Sequence, residues 1–163
     1  MTIELEALLN LPEIEVTGIE LTEQQFVVHC RSRFGEALCP NCLRPTKEVK
    51  KYYQRTIRDL PITGRDVYLD LEERQFSCPD CERYFSERFA FVEPNRTTTQ
   101  RYEVDLCARC EKTAFAQGAV LENLAWPVVQ AIYERQAARQ VEPGDQVRWL
   151  GIDDIALRKG QNS

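Results

Sequence analysis

The sequence predicts an α+β fold, β-rich over residues 1–93 and helical over residues 94–143. Three observations carry that expectation. Two near-identical cysteine pairs, Cys39-Pro40-Asn41-Cys42 and Cys78-Pro79-Asp80-Cys81, are separated by 35 residues. Around them apolar and polar residues alternate, the period of half-buried strands. Beyond Thr99 the apolar residues recur every four positions instead, the period of a helix.

The cysteine pairs set the architecture of the first part. Each Cys-x2-Cys closes a tight turn that directs two sulfurs at one point, and two such pairs supply the four thiolates of a structural Zn²⁺. A redox dithiol is a single pair opening a helix in a βαβ setting, which is not this pattern. Four unmetallated thiols are the plainer alternative. The gap between pairs leaves room for a β-hairpin, so knuckle, strands, knuckle, strand describes a zinc-ribbon domain.

In chain order, Glu4 to Leu9 reads as a short amphipathic helix. Residues Ile14 to Leu21 alternate, Thr22-Glu23-Gln24 turns the chain, and Gln25 to Arg31 alternates again with Phe26, Val28 and Cys30 on the inner face. Strands are expected at Arg55–Asp59 and Asp66–Glu72, joined by a turn from Pro61 to Gly64. Arg74-Gln75-Phe76 and Tyr84 to Phe89 flank the second knuckle. Pro94 to Thr99 breaks the β pattern and offers N-cap residues. Tyr102, Leu106, Cys110 and Ala114 form one apolar stripe, a second short helix is expected at Ala116–Leu124, and Pro127 opens a third. Three helices with a short turn between the last two outline a helix-turn-helix. Residues Gln146 to Ile152 read as a further buried strand ending at Asp153-Asp154.

The net charge is −5, which by itself argues against a nucleic-acid partner. Its distribution argues otherwise. Residues 1–30 carry six Glu and no Lys or Arg, while residues 31–65 carry nine basic side chains against three acids. Phosphate binding depends on such a local footprint rather than on the chain total. No apolar run approaches the length of a membrane span, and the acidic N-terminus lacks the layout of a signal peptide, so a cytoplasmic protein with no membrane partner is expected. His29 falls on the solvent side of its strand. Cys107 and Cys110 form a third Cys-x2-Cys pair, better read as core residues of the helical stripe than as ligands.

Taken in order, the ribbon, Arg58-Asp59-Leu60-Pro61, Arg74-Gln75-Phe76-Ser77-Cys78, Phe85-Ser86-Glu87-Arg88, the helix-turn-helix and Leu150-Gly151-Ile152-Asp153-Asp154-Ile155-Ala156-Leu157-Arg158-Lys159-Gly160 resemble the ISL-three family of bacterial insertion-sequence transposases. The resemblance runs from about Cys39 to the C-terminus. It implies that the ribbon and helix-turn-helix bind double-stranded DNA at the element's terminal repeats, and that Cys39, Cys42, Cys78 and Cys81 hold structural Zn²⁺. It also implies that residues 144–163 are the start of a ribonuclease-H-like DDE domain, with Asp153 as its first catalytic carboxylate. In a full-length relative that domain works with Mg²⁺. One carboxylate does not make a two-metal site, so the chain reads as a truncated transposase, catalytically inactive alone. Family knuckles commonly carry Gly after the second cysteine; here Leu43 and Glu82 stand there.

The expected DNA contacts are Arg44, Lys47, Lys50, Lys51 and Arg55 on phosphates, with Gln130, Arg135, Gln136 and Arg139 of the third helix in the major groove. A full-length transposase or a second copy of the chain is the further partner such an arm would meet. Two other readings stay open: a stand-alone zinc-ribbon regulator that binds DNA, and a protein-interaction module whose acidic residues 1–30 dock a basic partner.

Overall fold

The computed structural model describes residues 5–110, 117, 119–120 and 122–140. A short helix α1 (Leu5–Leu9) leads into strands β1 (Ile14–Leu21) and β2 (Gln25–Ser32). Two-residue strands β3 (Ala37–Leu38) and β4 (Pro45–Thr46) flank the first knuckle. The long strands β5 (Val49–Ile62) and β6 (Arg65–Cys78) follow, then β7 (Arg83–Ser86), α2 (Gln100–Cys110) and α3 (Trp126–Gln140). The expected strand at 146–152, Asp153 and Ala114 lie outside the described residues. So does much of the expected helix at 116–124, of which Gln117, Ala119 and Val120 are helical.

The sheet runs β1-β2-β6-β5, with β7 also on β6. β2 lies parallel to β6 along Asp66–Glu72, and β7 takes the same edge of β6 further on, along Gln75–Cys78. The antiparallel β5–β6 hairpin is much longer than the two short strands expected. Fourteen residues per strand span about 45 Å. The basic stretch before Arg55 is itself strand, because Val49, Tyr52, Tyr53 and Thr56 suit a pleated surface and β6 offers a partner throughout. The hairpin closes at Thr63-Gly64, where φ is 51° and 78°. Two consecutive positive φ values define the two-residue turn whose twist matches its strands, and Gly64 meets that demand without strain.

Alternation in β1 slips phase, with Ile14 and Val16 on even positions but Ile19 and Leu21 on odd ones. A bulge between Val16 and Gly18 absorbs the extra residue, so Ile19 still lies opposite Val28 and Leu21 opposite Phe26. The core beneath collects Leu9, Ile14, Val28, Cys30, Ile57, Val67, Leu69 and Leu71, with Phe89 and Val92 closing one side. Cys30 points inward as expected, and burial pushes its thiol up to about 12. His29 points outward between Asp70 (2.9 Å) and Glu20 (3.1 Å), whose hydrogen bonds hold its pKa above the ordinary value.

β6 changes faces midway. Val67, Leu69 and Leu71 are buried on one side, Phe76 and Cys78 on the other. The second face carries Arg74, whose guanidinium lies 4.9 Å from the Phe76 ring and bonds both carboxylate oxygens of the buried Glu87 at 2.9 and 2.6 Å.

A second core forms from Tyr102, Leu106, Cys107, Cys110, Ala119, Val129 and Ile132. Cys107 and Cys110 are packed in it, as the stripe predicted. Between the two cores lies a buried polar seam. Asp59 is 1% exposed; Arg101 grips both its oxygens and the Thr99 hydroxyl donates to it at 2.8 Å. Thr99 also caps α2, its oxygen accepting the Tyr102 N–H at 3.2 Å. Arg58 donates to the Glu122 carbonyl at 2.6 Å and to Asp66 at 2.8 Å, and its guanidinium lies 5.1 Å from the Tyr102 ring centroid. The chain pairing Arg58 with residues 97–99 completes the junction.

Removing the carboxylate of Asp59 would leave Arg101 and Thr99 without their partner. Asp59→Ala is expected to destabilise the protein by about 3 kcal/mol, in the range for breaking a buried pair. Urea unfolding measures this, and a loss below about 1 kcal/mol would contradict the assigned role.

Candidate metal centre

The two knuckles are built alike. In the first, the Cys39 N–H donates to the Arg44 carbonyl (2.9 Å) and the Leu43 N–H to the Cys39 carbonyl (2.8 Å). In the second, Cys78 at the end of β6 pairs with Arg83 at the start of β7. The residue after each second cysteine is left-handed, Leu43 at φ 59° and Glu82 at φ 53°. Both knuckles therefore adopt the backbone for which glycine is suited, with a side chain in its place. Thr46 ties the first knuckle to β6 by donating to the Ser77 carbonyl at 2.8 Å, and Arg44 reaches across to Asp80 at 2.7 Å.

This folding brings the four sulfurs together. Cys39–Cys81, Cys42–Cys78 and Cys78–Cys81 stand at 3.7, 3.6 and 3.6 Å, and all four sulfurs lie within 4.8 Å of one another. These separations are far beyond a disulfide. They match the edge of a tetrahedron with about 2.3 Å Zn–S bonds, roughly 3.8 Å. It is the only grouping of three or more metal-ligating side chains among the described residues. His29, Cys107 and Cys110 take no part in it.

The electrostatics also call for a cation. Backbone N–H groups of Cys42 and Asn41 are directed at the Cys39 sulfur and draw its pKa down to about 6. At Cys42 the N–H of Arg44 favours the thiolate, but the Cys81 sulfur and burial outweigh it and push the thiol up to about 12. Burial raises Cys78 as well. Four sulfurs this close cannot all be anionic without positive charge among them. Zn²⁺ would supply that charge and hold shape; with four thiolates it keeps no open position for chemistry.

The expected DNA-binding residues are dispersed. Lys50 and Lys51 are exposed on β5, with Lys51 stacked 4.7 Å from the Tyr53 ring centroid. Lys47 stands 3.9 Å from Glu36, and Arg44 pairs with Asp80. Arg55 turns inward, to Glu73 and the carbonyls of Glu93 and Arg96. On α3, Gln130 bonds Glu134, Arg135 bonds the buried Glu103, and Arg139 bonds Glu93. Gln136, expected in a DNA groove, is 6% exposed and bonded to Glu103 instead. The helical period shows which positions face inward, but Glu103 on α2 decides that polar side chains fill one of them.

Two expectations follow. The chain takes up one Zn²⁺ through Cys39, Cys42, Cys78 and Cys81, and uptake weakens as pH falls, because protons then compete for sulfurs such as Cys42. Competition against a chromophoric chelator across the neutral range measures this; pH-independent uptake, or full uptake by Cys78→Ser, would refute it. Separately, Leu43→Gly and Glu82→Gly each raise unfolding stability of the zinc-loaded chain by about 1 kcal/mol, through relief of left-handed strain. Leu43 is 73% exposed, so little packing is lost. A destabilised pair of variants would contradict the strain argument.

Among the described residues no helix is long and apolar enough to cross a membrane. No curated protein and no solved structure matches the chain. Residues 35–81, which hold both knuckles and the β5–β6 hairpin between them, match the family model described as the zinc-finger of transposase IS204/IS1001/IS1096/IS1165.

Proposed function

We propose that this chain is a DNA-recognition arm of an ISL-three-type transposase, binding double-stranded DNA at the terminal repeats of an insertion element. The zinc-finger match over residues 35–81 carries the reading. The geometry supports it physically. β5 forms the outer strand of the sheet, and five consecutive residues, Lys50 to Gln54, are exposed on it. An exposed edge strand with lysines and tyrosines can lie along a duplex backbone. Zinc would hold that hairpin rigid and do no chemistry. Asp153, outside the described residues, is proposed only as the position matching the family's first carboxylate.

The α3 side chains named for base reading bond groups within the protein, so the ribbon is assigned the principal contact. Titration of the zinc-loaded chain against labelled duplex by fluorescence anisotropy tests this. Binding that weakens steeply with salt, and falls at least tenfold in Lys50→Glu/Lys51→Glu, is the expected outcome. Absence of affinity for any duplex, including element ends, would overturn the reading.

A further inference from the structure

Ten arginines of the described chain are ion-paired: Arg31, Arg33, Arg44, Arg55, Arg58, Arg74, Arg101, Arg109, Arg135 and Arg139. Of the other four described arginines, Arg65 bonds Thr22 and Thr63 and Arg83 stands exposed beside the second knuckle; the side chains of Arg88 and Arg96 likewise have no hydrogen-bond or carboxylate partner among the described residues. Both line one surface depression. Arg55, Glu73, Ser86 and Asn95 are shared by its two adjoining halves; Arg88 borders one half, Tyr53 and Arg96 the other. Beyond Tyr53 stands Lys51, stacked on its ring. Unpaired cations thus line both halves of the groove, Arg88 one and Arg96 the other, and Lys51 stands just beyond Tyr53.

The acids around it are already neutralised. Glu73 is bonded by Arg55 at 2.9 Å, Glu87 by Arg74, and Glu93 by Arg139 at 2.7 Å. What faces outward is therefore net positive, although the chain total is −5. The turn presenting Arg96 is also fixed. Arg55 donates to the Arg96 carbonyl at 3.1 Å and to the Glu93 carbonyl at 2.6 Å, and Arg58 accepts and donates across to residues 97–99. A guanidinium on an anchored turn loses less freedom on binding an anion than one on a mobile loop.

We infer that this groove is the track for one phosphate backbone of the duplex, with Arg96 as its central contact, Arg88 and Lys51 at its ends, and Tyr53 against the sugar-phosphate edge. Guanidinium groups suit phosphate by charge and by paired N–H donors. The inference rests on the DNA-binding reading and deepens it, since Arg96 and Arg88 lie outside the basic 31–65 stretch and outside α3.

The test uses the full zinc-loaded chain and duplex carrying element ends, with Arg96→Ala, Arg88→Ala and Arg31→Ala compared. Arg31 is a control of equal charge, paired with Glu15 on the β1–β2 hairpin. Arg96→Ala is expected to weaken binding roughly tenfold, as for loss of a charged hydrogen bond, and to lower the salt slope by about 1, equally on specific and unrelated duplexes. Arg88→Ala should act in the same direction and Arg31→Ala should leave the slope unchanged. Zinc content and unfolding temperature should not move, because the Arg96 side chain supports nothing internally. Wild-type affinity and slope in Arg96→Ala, while Lys50→Glu/Lys51→Glu still weakens binding at least tenfold, would overturn the track and leave the DNA-binding function standing. An equal loss in Arg31→Ala would reduce the effect to net charge and overturn it also. If the unmodified chain binds no duplex, both readings fall together.

Discussion

The end of the β5–β6 hairpin that carries the exposed lysines has almost no apolar core of its own. Near the turn, Ile57, Val67, Leu69 and Leu71 bury against β2 and α1. Beyond Leu71, the fully buried side chains of β6 are Phe76 and Cys78, while Lys50 to Gln54 opposite are exposed. Burying one Phe is worth about 3 kcal/mol, and ordering each backbone residue costs about 1–2 kcal/mol. Hydrophobic burial alone leaves this end short. Closure of the four sulfurs at 3.6–3.7 Å is the constraint that makes up the difference. Metal binding to such a set carries folding free energy on the order of 10 kcal/mol. It acts on both strands at once, because Cys78 ends β6 and the first knuckle runs through β4 directly into β5 at Val49.

At the turn end, charged joints are added to that apolar core. Arg58-Asp59 was legible as a motif but not as a joint, and the fold makes it one. Asp59 holds α2 through Arg101 and the Thr99 cap, and Arg58 holds the Glu122 turn and stacks on Tyr102. Nearer the knuckles, Arg74 of β6 and Glu87 just past β7, from two other motif segments, close on each other. Buried pairs of this kind add little net stability over apolar replacements, but leaving one partner alone is costly. They therefore favour one arrangement of sheet and helices over its near alternatives.

Much of this is legible in the sequence, and what is not legible there has common physical causes. Cys39, Cys42, Cys78 and Cys81 were visible because metal geometry imposes a local spacing. Phe26, Val28 and Cys30, and the Tyr102–Leu106–Cys110 stripe, were visible because burial on one face imposes a period. The bulge at Thr17 shows in the sequence only as a phase slip between Val16 and Ile19, which the apolar-polar pattern does not by itself resolve into a bulge. The length of β5 was hidden because Lys50 to Gln54 face solvent on both sides of the strand, so no alternation marks them. The position of Gln136 was hidden for a third reason. A polar residue at a core position is explained only by its partner, here Glu103, which lies 33 positions away in sequence.

Charge patterning shows the same limit most clearly. Nine basic residues in 31–65 looked like a broad phosphate footprint. In the fold, Arg31, Arg33, Arg44, Lys47, Arg55 and Arg58 face carboxylates, and Arg65 bonds Thr22 and Thr63. Only Lys50 and Lys51 of that stretch remain with neither a carboxylate nor a hydrogen-bond partner for the side chain among the described residues. A linear count cannot make this distinction, since all but one of these neutralising acids, Glu36, come from α1, β1, β6 and the second knuckle. Pairing thus works as a filter: it removes most of the apparent footprint and exposes cations, such as Arg88 and Arg96, that stand in acidic or neutral sequence neighbourhoods. An acidic chain acquires a cationic face by this means, because the acids that set its total charge are bonded elsewhere.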